Sequence, residues 1–396
     1  MDYRDPKFVK DHAINIIEFY KPFVKDNENG GYYCAYLDSG EVYDKKVKDL
    51  VSTTRFILNF CFGIFIGGPE EYKYYIRYGL EFLEIIHRDE INGGYHQLAE
   101  GNKPVIGNKM TYGLAFCLSA VSNSYRAGIS EAYSLISRIY NFMEEKIWDS
   151  KNSLYVDECS NDFNQIVPYR GQNSNMHMTE AMLAAYEATG ENRYLERAYE
   201  LAYKITVKLA RKSNGMIWEH YNSNWEIDWD YNKGDPKNLY KPYGFLPGHF
   251  TEWSKLLLIL ERYKPADWQL KTAENLFDKA IKLAWDDENG GMNYTFDLEG
   301  NIIDNERYYW THAETIAAAA SLALRTENDD YWKIYDKCWD YSDKYFSDKK
   351  YSGWYRILSI DKRPLSNKKS PPGKSDYHTI GACYEVLRTM EYYKKK

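Results

Sequence analysis

The sequence has few cysteines, and none of them is placed for redox or structural metal chemistry. Six occur among 396 residues, at positions 34, 61, 117, 159, 338 and 383, and no two form a Cys-x-x-Cys pair. This spacing gives no support for a zinc ribbon or a redox motif. The first residues also lack the basic-then-apolar order of a signal peptide. We therefore expect reduced thiols in a cytoplasmic protein.

Long apolar runs and blocks of basic residues are also missing. The most apolar stretch, residues 56–66, is too short to cross a bilayer. The net charge is −7, and the longest run of lysines is the terminal 394–396, which is typical of a solvated tail. The sequence therefore predicts neither a membrane partner nor a nucleic-acid partner.

Motifs that hold cofactors, phosphates or activated nucleophiles do not occur. There is no Gly-x-Gly-x-x-Gly or Gly-x-x-x-x-Gly-Lys segment, so dinucleotide and P-loop binding have no support. There is also no His-Glu-x-x-His helix and no Gly-x-Ser-x-Gly elbow. We expect no cofactor and no metal.

Aromatic residues, in contrast, are abundant, with 39 Tyr, 11 Trp and 16 Phe. Tyr and Trp join an apolar ring to a polar tip, which suits a cavity that stacks on sugar rings and hydrogen-bonds to hydroxyls. Most of these side chains must nevertheless belong to the core.

A turn signature recurs along the chain at a spacing of about 60 residues, which indicates a repeat architecture. It reads Asn-Gly-Gly-Tyr in its clearest copies and begins at residues 29, 92, 152, 214, 289 and 352. An amphipathic stretch precedes each copy, and a second helical stretch follows after a short polar segment. Two helices in each of six periods predict an all-α fold, the (α/α)6 barrel, in one domain over residues 1–396.

One interval is longer than the others and predicts an inserted loop. It contains the polar and aromatic residues 224–236, which we interpret as a loop over the mouth of the cavity. A second irregular segment, residues 363–376, comes just before the last histidine. The helical repeat resumes after both segments, so neither resembles a domain linker.

Polar residues collect at five junctions where a loop enters a helix. His249 and Glu252 lie three residues apart after a Pro-Gly turn, so they share one helix face. Such a pair suits proton transfer, although a surface pair at a helix start is an equally good interpretation.

Arg55 sits in a first helical turn, where the helix dipole disfavours a cation; a salt bridge would also explain its position. If inner helices begin at the same end of the ring, the junctions converge on one cavity holding Arg55, His177, His249, Glu252, Trp310, His312 and His378.

Segments at these junctions resemble the N-acylglucosamine 2-epimerase superfamily of sugar epimerases and aldose–ketose isomerases. The resemblance rests on their order and spacing: Thr54-Arg55, Gly94-Tyr95-His96, Asn173-Ser174-Asn175-Met176-His177, Pro247-Gly248-His249 with Glu252-Trp253, Trp310 with Ala313-Glu314, and Asp376-Tyr377-His378. Residues 218–244 are similar to the branch that contains mannose isomerases and sulfoquinovose isomerase.

The resemblance implies roles for individual residues. His249 and His378 would be the acid–base pair, Glu252 would support His249, and Arg55 would contact the sugar O1 and O2 oxygens. His177 would assist ring opening or hold the substrate. Members of this family work without a metal. The remaining polar and aromatic candidates are expected to contact the substrate: Tyr112, Asn173, Trp310, His312, Glu314 and His96. His312 has no role implied by the resemblance and is expected only to line the cavity.

The function predicted first is the interconversion of a mannose-like aldose and its ketose, D-mannose and D-fructose, through a cis-enediolate. A 2-epimerase of the glucose/mannose, cellobiose or N-acylglucosamine type is a close alternative, because it differs only in the carbon and face that are reprotonated. An inverting glycoside hydrolase using Asp228, Asp230 and Glu252 is a further alternative, as is a sugar-binding module. We expect a monosaccharide or small oligosaccharide as substrate, and a monomer or homodimer.

Overall fold

Inner and outer helices alternate in the structure, a computed structural model that describes residues 1–395. The helices in that range are α1 Pro6–Tyr20, α2 Leu50–Phe65, α3 Tyr72–Phe82, α4 Thr111–Arg126, α5 Tyr133–Lys146, α6 Gln172–Thr189, α7 Asn192–Tyr203, α8 Pro247–Tyr263, α9 Asp267–Ala284, α10 Tyr309–Thr326, α11 Asp329–Tyr341 and α12 Tyr377–Lys394. Short π-helical turns extend α3, α7 and α11.

The even-numbered helices form a closed inner ring, and the odd-numbered helices surround it. Each even helix packs against the next, and α2 contacts both α4 and α12, which closes the circle. α8 is buried on every side from Pro247 to Leu260, whereas α3 buries one face, with Tyr72, Ile76 and Leu80. A helix buried all round belongs to the interior, and one with an apolar stripe belongs to a surface. The predicted (α/α)6 barrel is confirmed.

Short antiparallel strands join neighbouring repeats at the end where the inner helices begin. The strands are β1 Val47–Asp49, β2 Leu98–Glu100, β3 Lys103–Val105, β4 Lys109–Met110, β5 Trp148–Asp149, β6 Leu154–Tyr155, β7 Glu158–Cys159, β8 Arg170–Gly171, β9 His220–Tyr221, β10 Thr295–Phe296, β11 Ile302–Asp304, β12 Arg307–Tyr308 and β13 Ile357–Leu358. β1 pairs with β2, β4 with β7, β8 with β9, and β12 with β13. The bridges Phe245–Phe296 and Tyr36–Ser370 complete this circuit, so the helix starts are held in one rim.

The recurrent turn signature has a structural cause in a buried aspartate that precedes it. Asp26 accepts hydrogen bonds from the backbone of Glu28 and Asn29 and pairs with Lys48, whose Nζ lies 2.8 Å from the carboxylate. The same arrangement recurs in later repeats, with the pairs Asp89–Lys109, Asp286–Arg307 and Asp348–Lys369. Each cation lies in or near the strand before an inner helix, so the turn anchors the start of that helix.

The inserted loop is held to the barrel by aromatic contacts. Trp229 packs on Trp218 with ring centroids 4.8 Å apart, and Tyr231 packs on His220 at 4.6 Å. His220 accepts a hydrogen bond from Tyr169 through Nδ1 and donates through Nε2 to the carbonyl of Pro242. Among residues 1–395, no helix combines the length and the apolar character needed to span a membrane.

Candidate active site

Side chains from the first two turns of the inner helices meet on the barrel axis, with Arg55 in the second turn of α2 and not in the first. Arg55 comes from α2, His177 from α6, His249 and Glu252 from α8, Glu314 from α10, and His378 from α12; all are buried. Tyr112, Asn173 and Trp310 are partly exposed in the same first turns, nearer the rim. The ring thus brings together most of the residues that the sequence singled out.

His378 is a buried imidazole whose two nitrogens have different partners. Its Nδ1 donates to Glu314 Oε1 at 2.7 Å, which leaves Nε2 as the unprotonated nitrogen of the neutral ring. Nε2 lies 3.4 Å from an Arg55 guanidinium nitrogen. Burial lowers the pKa of His378 to about 4, and the bond to Glu314 opposes this shift only in part. His378 is therefore a neutral base at neutral pH.

A strained segment positions His378. Ser375 and Asp376 both adopt left-handed backbone conformations, with φ of 44° and 51°, just before α12. The Asp376 carboxylate compensates by accepting hydrogen bonds from Tyr20, at 2.5 Å, and from Lys374, at 2.6 Å. Asn59 of α2 donates to the Ser375 carbonyl at 2.7 Å. Backbone strain of this kind persists only where surrounding contacts fix it, and it is common at functional sites.

His249 has its own carboxylate partner, but this is not the one that the sequence predicted. Nδ1 of His249 lies 2.9 Å from Glu219 Oε1 and 2.9 Å from the amide nitrogen of Gln172. Gln172 donates to the other oxygen of Glu219 at 2.9 Å, and Trp253 donates to the Gln172 carbonyl at 2.7 Å, which fixes the amide. The predicted support of His249 by Glu252 is wrong, since the Glu252 carboxylate points toward His378 and Glu314 instead.

Trp310 lies between the two histidines. Its ring centroid is 5.0 Å from that of His249 and 5.7 Å from that of His378. Gly248 allows this approach, because a Cβ at that position would lie 2.6 Å from the Trp310 ring. The Pro-Gly-His sequence therefore has separate local causes: proline begins α8, glycine admits the indole, and histidine reaches the cavity.

Arg55 connects α2 to the segment before α12. It donates to the Gly373 carbonyl and, at 2.8 Å, to the Tyr112 hydroxyl. Its guanidinium carbon lies 4.5 Å from the centroid of Phe116. Nε has no hydrogen-bond partner, so the cation is not satisfied by protein groups alone. No carboxylate forms a salt bridge with Arg55 among the described residues, which removes the alternative explanation from the sequence.

His177 is held much as His378 is. Its Nδ1 lies 3.1 Å from Glu180 Oε2, and its ring packs on Phe116 and Tyr112. Burial lowers the pKa of His177, although Glu180 opposes the shift. Burial would raise the pKa of Glu180, but His177 and Lys255 lower it to about 2.

Glu252 is the unusual carboxylate of the cluster. It is buried, and neither of its oxygens has a hydrogen-bond partner. Burial, followed by the charge of Glu314, raises the pKa of Glu252 well above its ordinary value. This direction favours the protonated acid, which can donate a hydrogen bond to a ligand.

Two predicted site residues lie elsewhere. His312 is fully buried: it accepts from the Met292 amide, donates to the Tyr308 carbonyl and stacks on Tyr341. The prediction that His312 lines the cavity is wrong, because its side chain points outward between α10 and α11. His96 contacts the Lys109–Asp89 pair of the turn signature, which gives it a structural setting.

Four residues of the site were missed by sequence reasoning: Gln172, Glu180, Glu219 and Lys255. Glu180 follows His177 by three residues, and Lys255 follows Glu252 by three, so the spacing that drew attention to His249 also marks them. Glu219 and Gln172 carry no such signal, since they meet His249 only through the pairing of β8 with β9.

Two groups of side chains in the cavity have atoms close enough together to bind a metal ion. Oxygen and nitrogen atoms of Glu252, Glu314 and His378 lie within 4.8 Å of one another, as do those of His177, Glu180 and Glu252. Glu314, however, already engages His378 and Lys255. The donor set thus favours hydrogen bonding and proton transfer.

Known sugar isomerases and epimerases resemble this chain over nearly its whole length. The family model described as N-acylglucosamine 2-epimerase (GlcNAc 2-epimerase) matches residues 30–382. The D-mannose isomerase of Marinomonas mediterranea is 44% identical over 97% of this chain and 97% of its own. A crystal structure of D-mannose isomerase superimposes with a TM-score of 0.96 at 43% identity, covering 98% of this chain and 99% of that one. Cellobiose 2-epimerase from Bacillus thermoamylovorans has a TM-score of 0.85 at 20% identity, covering 96% and 99%, which shows a shared fold. The chain belongs to the N-acylglucosamine 2-epimerase family.

Proposed function

We propose that this protein is an aldose–ketose isomerase that interconverts D-mannose and D-fructose by proton transfer. One observation carries the proposal: two imidazoles, each with a carboxylate at Nδ1, flank Trp310, and one of them, His378, contacts Arg55. The relatives named D-mannose isomerase support the substrate, since one of them is 44% identical over nearly the whole chain.

His378 is the proposed base at C2. Once the sugar ring opens, the C1 carbonyl makes the C2 proton acidic, and the unprotonated Nε2 of His378 can remove it. The Arg55 guanidinium lies 3.4 Å from that nitrogen, where it can stabilise the negative charge of an enediolate as it forms. Return of the proton to C1 gives the ketose.

His249 is the proposed partner acid–base group. Its Nδ1 is engaged by Glu219, so Nε2 is free to exchange a proton with a sugar oxygen. His177 and the protonated Glu252 complete the polar wall and are proposed to hold substrate hydroxyls. Trp310, Tyr112 and Asn173 are proposed to bind the sugar nearer the rim. No step in this scheme requires a metal.

The hydrolase alternative has less support from the geometry. Asp230 lies exposed in the inserted loop and pairs with Lys233. A cytoplasmic location and a monomeric or homodimeric state stay predictions.

The test is incubation with D-mannose, D-glucose, N-acetylglucosamine and cellobiose after dialysis against EDTA, with products identified by NMR. We expect D-fructose from D-mannose at an undiminished rate. A 2-epimer without ketose would indicate an epimerase, and release of free sugar from a glycoside would indicate a hydrolase. Loss of activity that a single divalent ion restores would contradict the proton-transfer scheme.

A further inference from the structure

Lys255 lies one helical turn after Glu252 on α8, beneath the acid–base layer. Its Nζ is 2.5 Å from Glu314 Oε2 and 3.9 Å from Glu252 Oε1, and 8% of its side chain is exposed. Burial lowers the pKa of Lys255, but the charges of Glu314, Glu252 and Glu180 outweigh burial and raise it overall. Lys255 therefore stays a cation inside the barrel.

Glu314 divides its two oxygens between Lys255 and His378. Oε2 accepts from the ammonium, and Oε1 accepts from the imidazole Nδ1 at 2.7 Å. Burial would raise the pKa of Glu314, but Lys255 and then His378 lower it below its ordinary value. The ionised carboxylate in turn holds the His378 proton on Nδ1, so Lys255 affects His378 through Glu314.

The charges of the cluster balance only when Lys255 is present. The cations around Glu314 are Lys255 and Arg55, and the carboxylates with a lowered pKa are Glu180 and Glu314. The pKa of Glu252 is raised and those of His177 and His378 are lowered, which favours the neutral form of all three groups. Removal of the ammonium leaves one uncompensated buried negative charge. Such a charge is costly, so the cluster would take up a proton.

We propose that Lys255 is a positioning residue, which compensates the charge of Glu314 and thereby holds His378 as a neutral base with an unprotonated Nε2. The groups that face His378 from the neighbouring elements are Glu314 and Tyr309 of α10, Arg55 of α2, His177 of α6 and Glu252 of α8. Lys255 itself faces Glu314 of α10, Glu180 of α6 and Glu252 of its own helix. None of these supplies a second cation to Glu314.

The test is a pH titration of the free enzyme labelled with ¹⁵N-histidine, with the His378 signals identified by their loss in His378→Asn. Lys255→Gln keeps a hydrogen-bond donor beside Glu314 but removes the charge. We expect imidazolium formation at His378 to move upward by at least about one pH unit. We also expect the acid limb of the kcat/KM profile to move with it.

Three further variants separate charge from folding. Lys255→Arg keeps the cation and should titrate as the wild type does. The double variant Lys255→Gln/Glu180→Gln removes one charge of each sign and should return the titration toward the wild type. Lys48→Met is a matched control, because Lys48 is an equally buried lysine paired with Asp26 at 2.8 Å in a distant turn; it should cost stability and leave His378 unchanged.

A His378 titration in folded Lys255→Gln within about 0.3 pH unit of the wild type would overturn the proposal. An equal shift in Lys48→Met would also overturn it. The acid-limb readout rests on the proposed function, whereas the NMR readout does not. A shifted His378 signal in an enzyme that isomerises no sugar would therefore contradict the function and leave the role of Lys255 standing.

Discussion

The two histidine–carboxylate pairs have similar hydrogen-bond lengths but different surroundings. His378–Glu314 belongs to a chain of charged groups, because Glu314 also binds Lys255. The groups behind the His249–Glu219 pair are neutral, because Gln172 binds Glu219 and is itself held by Trp253. The first pair should therefore respond mainly to changes of charge, and the second mainly to changes of geometry.

Replacement of the imidazoles themselves should have the largest effect. Asparagine keeps much of the shape of histidine but has no acid–base capacity near pH 7, and general acid–base catalysis contributes about 10²–10⁴-fold. We expect His378→Asn and His249→Asn each to lose at least that factor in kcat. Only His378→Asn should also abolish exchange of the C2 proton with solvent, while His249→Asn should retain slow exchange without product.

The control for this prediction is the rate of C2 exchange measured by NMR in D2O on folded protein. Wild-type exchange in His378→Asn would exclude His378 as the base. His177 would then be the next candidate, because its ring centroid is 6.4 Å from that of His378.

Replacement of the carboxylates should separate the two pairs. Glu314→Gln removes the charge that serves both His378 and Lys255, and we expect a loss of about 10²-fold or more in kcat. Glu219→Gln leaves a neutral network whose hydrogen bonds an amide can partly replace, so the loss should be smaller. The measurement is the kcat of each variant by steady-state kinetics. Equal losses of kcat in Glu314→Gln and Glu219→Gln would show that charge does not distinguish the two pairs.

The pH dependence should reflect the depressed pKa of His378. Burial lowers this pKa to about 4, and the base is active when neutral. We therefore expect kcat/KM to stay level on the acid side until about pH 5 and to fall below that. The stability of the fold should also fall at acid pH. The unfolded histidine takes up a proton near pH 6.5, whereas His378 in the folded protein does so only near pH 4, so the free energy of unfolding decreases as the pH falls from 6.5 toward 4. An acid limb near pH 6.5 that disappears in His378→Asn would contradict this expectation.

His312 offers the smallest effect on catalysis and a clear effect on stability. Replacement by leucine leaves the Met292 amide without a partner in the interior, whereas the Tyr308 carbonyl still accepts from the Thr311 hydroxyl. We expect a loss of about 1–3 kcal/mol in the free energy of unfolding, measured by urea denaturation. The kcat of the folded fraction should be near that of the wild type. A large fall in kcat with an unchanged free energy of unfolding would contradict this assignment and indicate that His312 acts in the active site.

The fold could be predicted from the sequence because its repeat is local. The turn signature recurs with each helical hairpin, and the Asp–cation pairs show why the same residues are needed each time. Gly190 ends α6 in a left-handed conformation, with φ of 73°, which is common for glycine at a helix C-terminus. These features depend on neighbouring residues in the chain, so their pattern is visible without the structure.

The partners within the site could be predicted only in part. His249, His378 and Arg55 stand at helix starts, which the sequence reveals, but the carboxylate that each histidine binds comes from another element. Glu219 reaches His249 from 30 residues away and Glu314 reaches His378 from 64. A spacing of three residues suggested Glu252 for His249 because periodicity describes one helix, whereas these contacts depend on how helices of the ring face one another.

The most direct test of the account follows isotopes through the reaction. D-mannose is incubated in D2O with chelator-treated wild-type enzyme and with His378→Asn, and the D-fructose formed is examined by ¹H and ²H NMR. The account predicts deuterium at C1 of D-fructose with the wild type, and neither ketose nor C2 exchange with His378→Asn. Formation of D-fructose whose C1 carries the original C2 hydrogen alone, with no solvent deuterium under any condition, would contradict proton transfer through His378.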